Sequence, residues 1–147
     1  MPDVDIRPAG ETDWAAVAEL LQVSALPLDG ARENLGTYFL AVVEGTVVGT
    51  AGLEVHADAA LLRSVAVTPS QQGQSVGQAL IAAVRAEARR RGVTTLYLLT
   101  ATATDYFARL GLSVEARGLA PAALQASAEF QGACPASATL MTRKVAE

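Results

Sequence analysis

Between an apolar stretch ending at Val67 and a helically spaced segment from Val76 lies the polar loop Gln71-Gln72-Gly73-Gln74-Ser75-Val76-Gly77. A helix start presents backbone N–H groups with no intrahelical acceptor, and the helix dipole adds partial positive charge there. Glycines let such a backbone approach an anion closely, so this junction can hold a phosphate or diphosphate. From Gln72 to Gln78 there is no Lys or Arg, which leaves the holding to main-chain donors. Neither the three-glycine dinucleotide spacing nor the Gly-Lys-Ser/Thr of a phosphate loop is present.

Other polar residues sit where apolar ones would be expected. Glu54 and His56 lie two apart in an apolar run, on one side of a strand if it stays regular. Either could take a proton from an incoming ammonium, or both could be a solvent-facing strand end. Arg63 interrupts Leu61, Leu62, Val65 and Val67. A buried arginine needs an anionic partner: a substrate carboxylate held in a bidentate fork, or Glu54. The first is the favoured reading, because an amino-acid-like acceptor needs such a clamp. Thr100 and Thr102 either line an acceptor pocket or end a strand and start a helix. Cys134 has no histidine near it in sequence and is read as packing rather than as a nucleophile.

The elements that must position these residues follow from periodicity. Asp3 to Arg7 reads as a first strand. Thr12 is placed to cap a helix carrying Trp14, Val17, Ala18 and Leu21 at i, i+3, i+4 and i+7. Pro27 and Asp29-Gly30 break it, and a brief helix is expected over Ala31 to Leu35. Tyr38 to Val43 and Val47 to Val55 flank Glu44-Gly45-Thr46, a hairpin signal, and Ala60 to Val67 follows as a third antiparallel strand. Val76, Leu80 and Val84 form one helical stripe up to Arg91, with Glu87 and Arg91 able to pair and Gly92 as the stop. Thr95 to Thr100 is a buried strand, closing a βαβ unit with the strand before the loop. A short helix from Thr104 or Asp105, a strand over Leu112 to Ala116, a helical fragment at Ala122 to Ala126 and a last strand over Ala138 to Arg143 complete the chain. The whole, 1–147, reads as one α/β (α+β) domain.

Composition narrows the classes. At 147 residues, 51% hydrophobic and 18% charged, the chain can bury a core and is not a disordered sequence. A net charge of −4 and the lack of a basic face argue against nucleic acid as a partner. No apolar run approaches the roughly 20 residues that cross a bilayer, so no membrane partner is expected. Met1-Pro2-Asp3-Val4-Asp5 does not resemble a signal peptide, and a single cysteine excludes an intrachain disulfide. With one histidine and one cysteine, a clustered metal site is not expected. A cytoplasmic, metal-free protein is the expectation.

In these motifs the sequence resembles the GNAT acetyltransferases. Leu62-Arg63-Ser64-Val65-Ala66-Val67-Thr68-Pro69 is similar to the family's fourth strand and its exit, and Gln72 to Gly77 to its Gln/Arg-x-x-Gly-x-Gly/Ala motif. Tyr106 to Leu112 resembles its aromatic-x-x-x-Gly-Phe element, with Leu112 for the final Phe. Tyr97-Leu98-Leu99-Thr100, Glu129-Phe130 and Cys134-Pro135-Ala136-Ser137-Ala138 are further similar to small acetyltransferases of bacterial arsenic-resistance operons, and through them to the acetyltransferase domain of N-acetylglutamate synthases.

The resemblance implies a GNAT fold: a mixed, mostly antiparallel sheet of six or seven strands with helices on both faces. It implies acetyl-CoA as cosubstrate and direct acetyl transfer to a small-molecule amine, an amino acid or an arsenical or phosphinic analogue. Backbone groups of Val65, Ala66 and Val67 would pair with the pantetheine arm, and Gln72, Gly73, Gln74, Ser75, Val76, Gly77 and Gln78 would wrap the diphosphate. The acetyl carbonyl would sit in the splay between the fourth and fifth strands. Glu54 would be the base, with Arg63 and Thr100 at the acceptor. Ser75 stands where the family pattern has glycine. Phe107 stands where many members have a tyrosine that protonates the CoA thiolate; it would then line the coenzyme, leaving Tyr106, rotated about 100° around the helix, as the candidate acid. Arg89, Arg90 and Arg91 are either a solvated helix end or a contact to the adenosine phosphate. Another amine (polyamine, aminoglycoside, protein N-terminus), a non-catalytic CoA-binding module and a homodimer through edge strands remain alternatives.

Overall fold

The β-branched runs on either side of Glu44-Gly45 form β2 (Phe39–Val43) and β3 (Thr46–His56), and β4 (Ala59–Val67) continues the meander. Glu44 and Gly45 both take positive φ, the backbone that a tight hairpin with right-twisted strands requires. The structure is a computed structural model that describes residues 4–72, 75–135 and 137–146. β1 (Val4–Pro8) pairs antiparallel with β2, β5 (Thr95–Thr100) pairs parallel with β4, and β7 (Thr139–Lys144) lies between β5 and β6 (Ser113–Glu115). The result is a seven-stranded sheet in the order β1-β2-β3-β4-β5-β7-β6, antiparallel except at β4–β5.

Helices cover both faces. α2 (Val76–Arg90) buries Val76, Leu80, Ile81, Val84 and Ala88 against Ala41, Leu53, Ala60 and Leu62. α1 (Trp14–Val23) lays Val17, Leu20 and Leu21 on the opposite face, with Tyr38, Leu40 and Ala66. α3 (Thr104–Arg109) adds Phe107 to the α2 side, and α4 (Ala122–Gln125) covers Leu61 with Leu124.

Two local expectations give way. Thr12 does not cap α1: it lies within a 3₁₀ turn, Glu11–Asp13, and Asp13 accepts the Gly10 N–H through Oδ2 at 2.8 Å. Asp13 also takes a two-pronged contact from Arg7 (2.9 and 3.0 Å), so a β1 side chain pins this entry to α1. The brief helix over Ala31 to Leu35 is a run of turns ending in a 3₁₀ turn, Leu35–Thr37. Thr37 ends that run by donating its hydroxyl to the Asn34 carbonyl at 2.9 Å.

β4 is not a regular strand. Against β3, Gly52 pairs with Arg63 and Thr50 with Ala66, so Ser64 and Val65 together oppose Ala51. Ser64 takes φ +57 there, the signature of a bulge built on a left-handed residue. The bulge shifts the alternation by one position. Leu62, Val65 and Val67 face the α2 side, while Ala66 faces α1. Tyr38 explains where it occurs. Its ring lies on Gly52 so closely that a Cβ there would come within 2.1 Å, and its hydroxyl meets the Ser64 hydroxyl at 2.6 Å in the interior.

Candidate functional site

The parallel pairing of β4 with β5 runs only from Ala59↔Thr95 to Leu61↔Tyr97. Beyond it the strands diverge, and the gap opens into a cleft of ≈ 1200 Å³. Leu62 to Val67 form one wall; Leu98 to Thr100, with Tyr106 and Phe107 of α3, form the other. The start of α2 (Ser75 to Gln78) closes one end, and Glu129, Cys134 and Pro135 approach from the C-terminal segment. Val65, Ala66, Val67, Gln72, Ser75, Val76, Gly77, Gln78, Phe107, Tyr106, Arg63 and Thr100 all border this one space. Gly73 and Gln74 lie outside the described residues.

At the helix start, among the described residues, the Ala79 N–H is the first that bonds back, to the Ser75 carbonyl at 3.1 Å. The N–H groups of Val76, Gly77 and Gln78 belong to the first turn, where no carbonyl of the helix precedes them, a geometry that suits an anion. Ser75 holds φ +63, which explains why glycine suits the position: a left-handed conformation costs a Cβ-bearing residue about 1–2 kcal/mol. Gln72 donates its side-chain N–H to the Val67 carbonyl at 3.0 Å, tying the loop to the end of the β4 edge.

Tyr106 reaches this helix start. A Cβ on Gly77 would lie 1.7 Å from its hydroxyl, so the absence of a side chain at Gly77 is what admits the phenol. Burial raises the Tyr106 hydroxyl above the ordinary phenol range, which keeps it a donor at neutral pH. Phe107 is buried and meets the Tyr106 ring edge-on, with centroids 5.1 Å apart. Thr100 accepts the Ala103 N–H through Oγ1 at 3.0 Å, so its hydroxyl also fixes the turn from β5 into α3.

Arg63 is fully enclosed, with 2% of its surface exposed. Nη1 donates to Glu54 Oε1 at 2.9 Å; Nη2 donates to the Asp29 carbonyl and lies 3.5 Å from Glu129 Oε2. Gly30, at φ +80, passes directly over this guanidinium. Both terminal nitrogens are therefore held by the protein, which realises the Glu54 pairing considered for Arg63. Glu54 receives a second hydrogen bond from His56 Nε2 at 2.7 Å. Among the described residues that border the cleft, neither Glu54 nor His56 appears.

The carboxylate that does reach the cleft is Glu129, which the sequence analysis quoted only as part of the Glu129-Phe130 resemblance and gave no role. It opens a wide π-type turn, Glu129–Ala133, that breaks at Gly132 (φ +122). Glu129 is 4% exposed, and burial pushes its carboxyl above the usual range, with Arg63 opposing the shift. Cys134 sits beside it. Burial, then the Glu129 charge, pushes that thiol up to about 12, so it stays protonated and is a poor nucleophile. The sequence signal for Glu129 is the Glu129-Phe130 resemblance; periodicity offers none, since the acid lies in a stretch without helical or strand spacing.

At the far end of α2, Arg90 and Arg91 both bond to the Glu87 carboxylate, each at 2.6 Å. Among the described residues, no group of histidine, cysteine and acidic side chains could hold a metal, and no helix is long and apolar enough to cross a membrane.

The sequence model of the acetyltransferase (GNAT) family matches residues 9–112. A search of curated protein sequences finds no match. Among solved structures, N-acetylglutamate synthase from Neisseria gonorrhoeae, complexed with coenzyme A and N-acetyl-glutamate, superposes with a TM-score of 0.84 at 21% identity over 99% of this chain. This chain covers only 36% of that one. Rv2747 from Mycobacterium tuberculosis, in complex with CoA, gives 0.79 at 22% identity, covering 95% of this chain and 98% of that one. The ribosomal-protein-S18-alanine N-acetyltransferase from Escherichia coli gives 0.73 at 23% identity, covering 97% and 94%. At these identities the likeness is one of fold.

Proposed function

The chain belongs to the acetyltransferase (GNAT) family, and we propose that the amine it acetylates is that of an amino acid or an arsenical or phosphinic amino-acid analogue. It is an acetyl-CoA-dependent N-acetyltransferase; the acceptor and the residue roles are this proposal's content. The observation that carries it is the divergence of β4 and β5 after Leu61↔Tyr97, which leaves a strand edge, a helix start and a buried carboxylate around one cleft.

The chemistry follows from that arrangement. Past Leu61, the β4 edge facing β5 offers main-chain groups to the pantetheine amides, as an added strand would. The first turn of α2 offers N–H groups to the diphosphate, and the Tyr106 hydroxyl against Gly77 supports one more donor at that end. That location favours Tyr106 as a coenzyme contact over a proton source at sulfur. A main-chain N–H at the splay polarises the thioester carbonyl, and the cleft orients the amine for attack.

The likeness to a synthase domain whose structure contains N-acetyl-glutamate supports an amino-acid acceptor. Thr100 lines the acceptor side. Arg63, with both Nη groups already engaged, supports a positioning role for the neighbouring carboxylates rather than a bidentate clamp. The likeness to a protein N-terminal acetyltransferase supports a second reading, a peptide α-amine. Thiol release from acetyl-CoA decides between them, using amino acids, arsenical and phosphinic analogues, polyamines, aminoglycosides and an alanine-terminated peptide. Turnover of free amino acids or their analogues is expected; turnover of the peptide alone would overturn the proposal.

A further inference from the structure

The reaction needs a proton acceptor, because an amine arrives as an ammonium and only the neutral form attacks a thioester. Glu54, the carboxylate expected from sequence, is doubly engaged by Arg63 and His56 and does not border the cleft. Glu129 does border it, together with Cys134 and Pro135, and lies 3.5 Å from Arg63 of the β4 wall. We infer that Glu129 is the group that binds the acceptor ammonium and takes its proton. This rests on the acetyltransferase reading above and deepens it.

The surroundings suit that task. Arg63 from β4 and Glu54 from β3 face Glu129, with His56 behind Glu54; Tyr38 and Cys134 are the other titratable groups against it. One guanidinium is thus shared by two carboxylates, so with both ionised the cluster keeps one negative charge for an incoming cation. Arg63 keeps Glu129 fixed and ionisable in a buried wall, which makes Arg63 a positioning residue. Burial raises the Glu129 carboxyl, which makes it a stronger base than an exposed glutamate.

The step balances. The ammonium gives one proton to Glu129 and its nitrogen attacks the thioester carbonyl carbon. The C–N bond forms, the C–S bond breaks, and a second N–H proton ends on the departing sulfur as free CoA thiol. Glu129 returns its proton to water.

The test compares Glu129→Gln with wild type on two acceptors: the fastest protonated amine of the panel, and hydroxylamine, whose nitrogen is already neutral at pH 7. With the protonated amine, kcat should fall roughly 10²-fold or more, and the acidic limb of the pH profile should lose its Glu129 inflection and follow the ionisation of the amine itself. With hydroxylamine, after subtraction of the uncatalysed reaction, kcat should stay within a few-fold, and the acetyl-CoA KM should hold for both. Should Glu129→Gln fail to fold, Glu129→Asp, which keeps a charge for Arg63, should show the same split between acceptors. An equal loss for both acceptors, or no loss for either, overturns the assignment. A wild type that turns over only amines other than amino acids defeats the acceptor reading, while Glu129 is still judged on the amine it uses.

Discussion

Gly77 and Tyr106 pack closely at the end of the cleft proposed for the coenzyme, and that contact can be broken and repaired. Gly77→Ala should destabilise the fold by about 1–3 kcal/mol, since its Cβ collides with the phenol oxygen. Adding Tyr106→Phe removes that oxygen and should recover most of the loss; thermal melts of the single and double variants check both. At the end proposed for the acceptor, Arg63→Ala leaves two buried carboxylates without their cation, and a loss of roughly 3–5 kcal/mol in chemical denaturation is expected. Glu129 is raised in the folded state, so the stability it contributes is full below its unfolded pKa and is lost as pH rises through the folded one. Glu129→Gln should therefore gain stability relative to wild type as pH rises above the ordinary carboxylate range. A difference that stays flat or runs the other way would show that Arg63 outweighs burial there. Arg63 and Ser75 were legible as anomalies, a charge in an apolar strand and a side chain at a glycine position. Glu129 stood out only within the Glu129-Phe130 resemblance, and its burial was not legible, because that comes from the fold of a segment that has no periodicity of its own.

Among the elements, β3, β4, β5 and α2 were readable to within a residue at each end, because β-branched runs and an apolar stripe of helical spacing coincide there with glycine or proline stops. The β4 bulge was not readable. Positive φ at a serine is a tertiary effect, imposed where Tyr38 lies on Gly52 and bonds Ser64. The α1 start was misread for a related reason: Thr12 has the right chemistry, but Arg7 from β1 selects Asp13. Arg7, then the Gly10 N–H, holds the Asp13 carboxyl down at about 2, so its contribution is present above the unfolded value and fades as pH falls toward 2. At α2, Ser75→Gly relieves a left-handed serine and should stabilise the protein by about 1 kcal/mol in denaturant titrations. Unchanged stability would mean that the loop, and not the Ser75 backbone, bears the strain.

At the scale of the molecule, the parallel β4–β5 pair is what makes a site possible. Three registered residue pairs hold the strands together at one end, and divergence beyond them exposes a strand edge in the middle of the sheet. The α2 start and the Glu129 turn both border that opening, one suited to an anion and the other, on our proposal, to a cation. Hydrogen exchange with and without acetyl-CoA tests this arrangement most directly. Protection is expected at the amides of Val65 to Val67 and Val76 to Gln78, with α1 and β1 unchanged. Binding that leaves those amides exchanging freely, or that protects the α1 face instead, would contradict it.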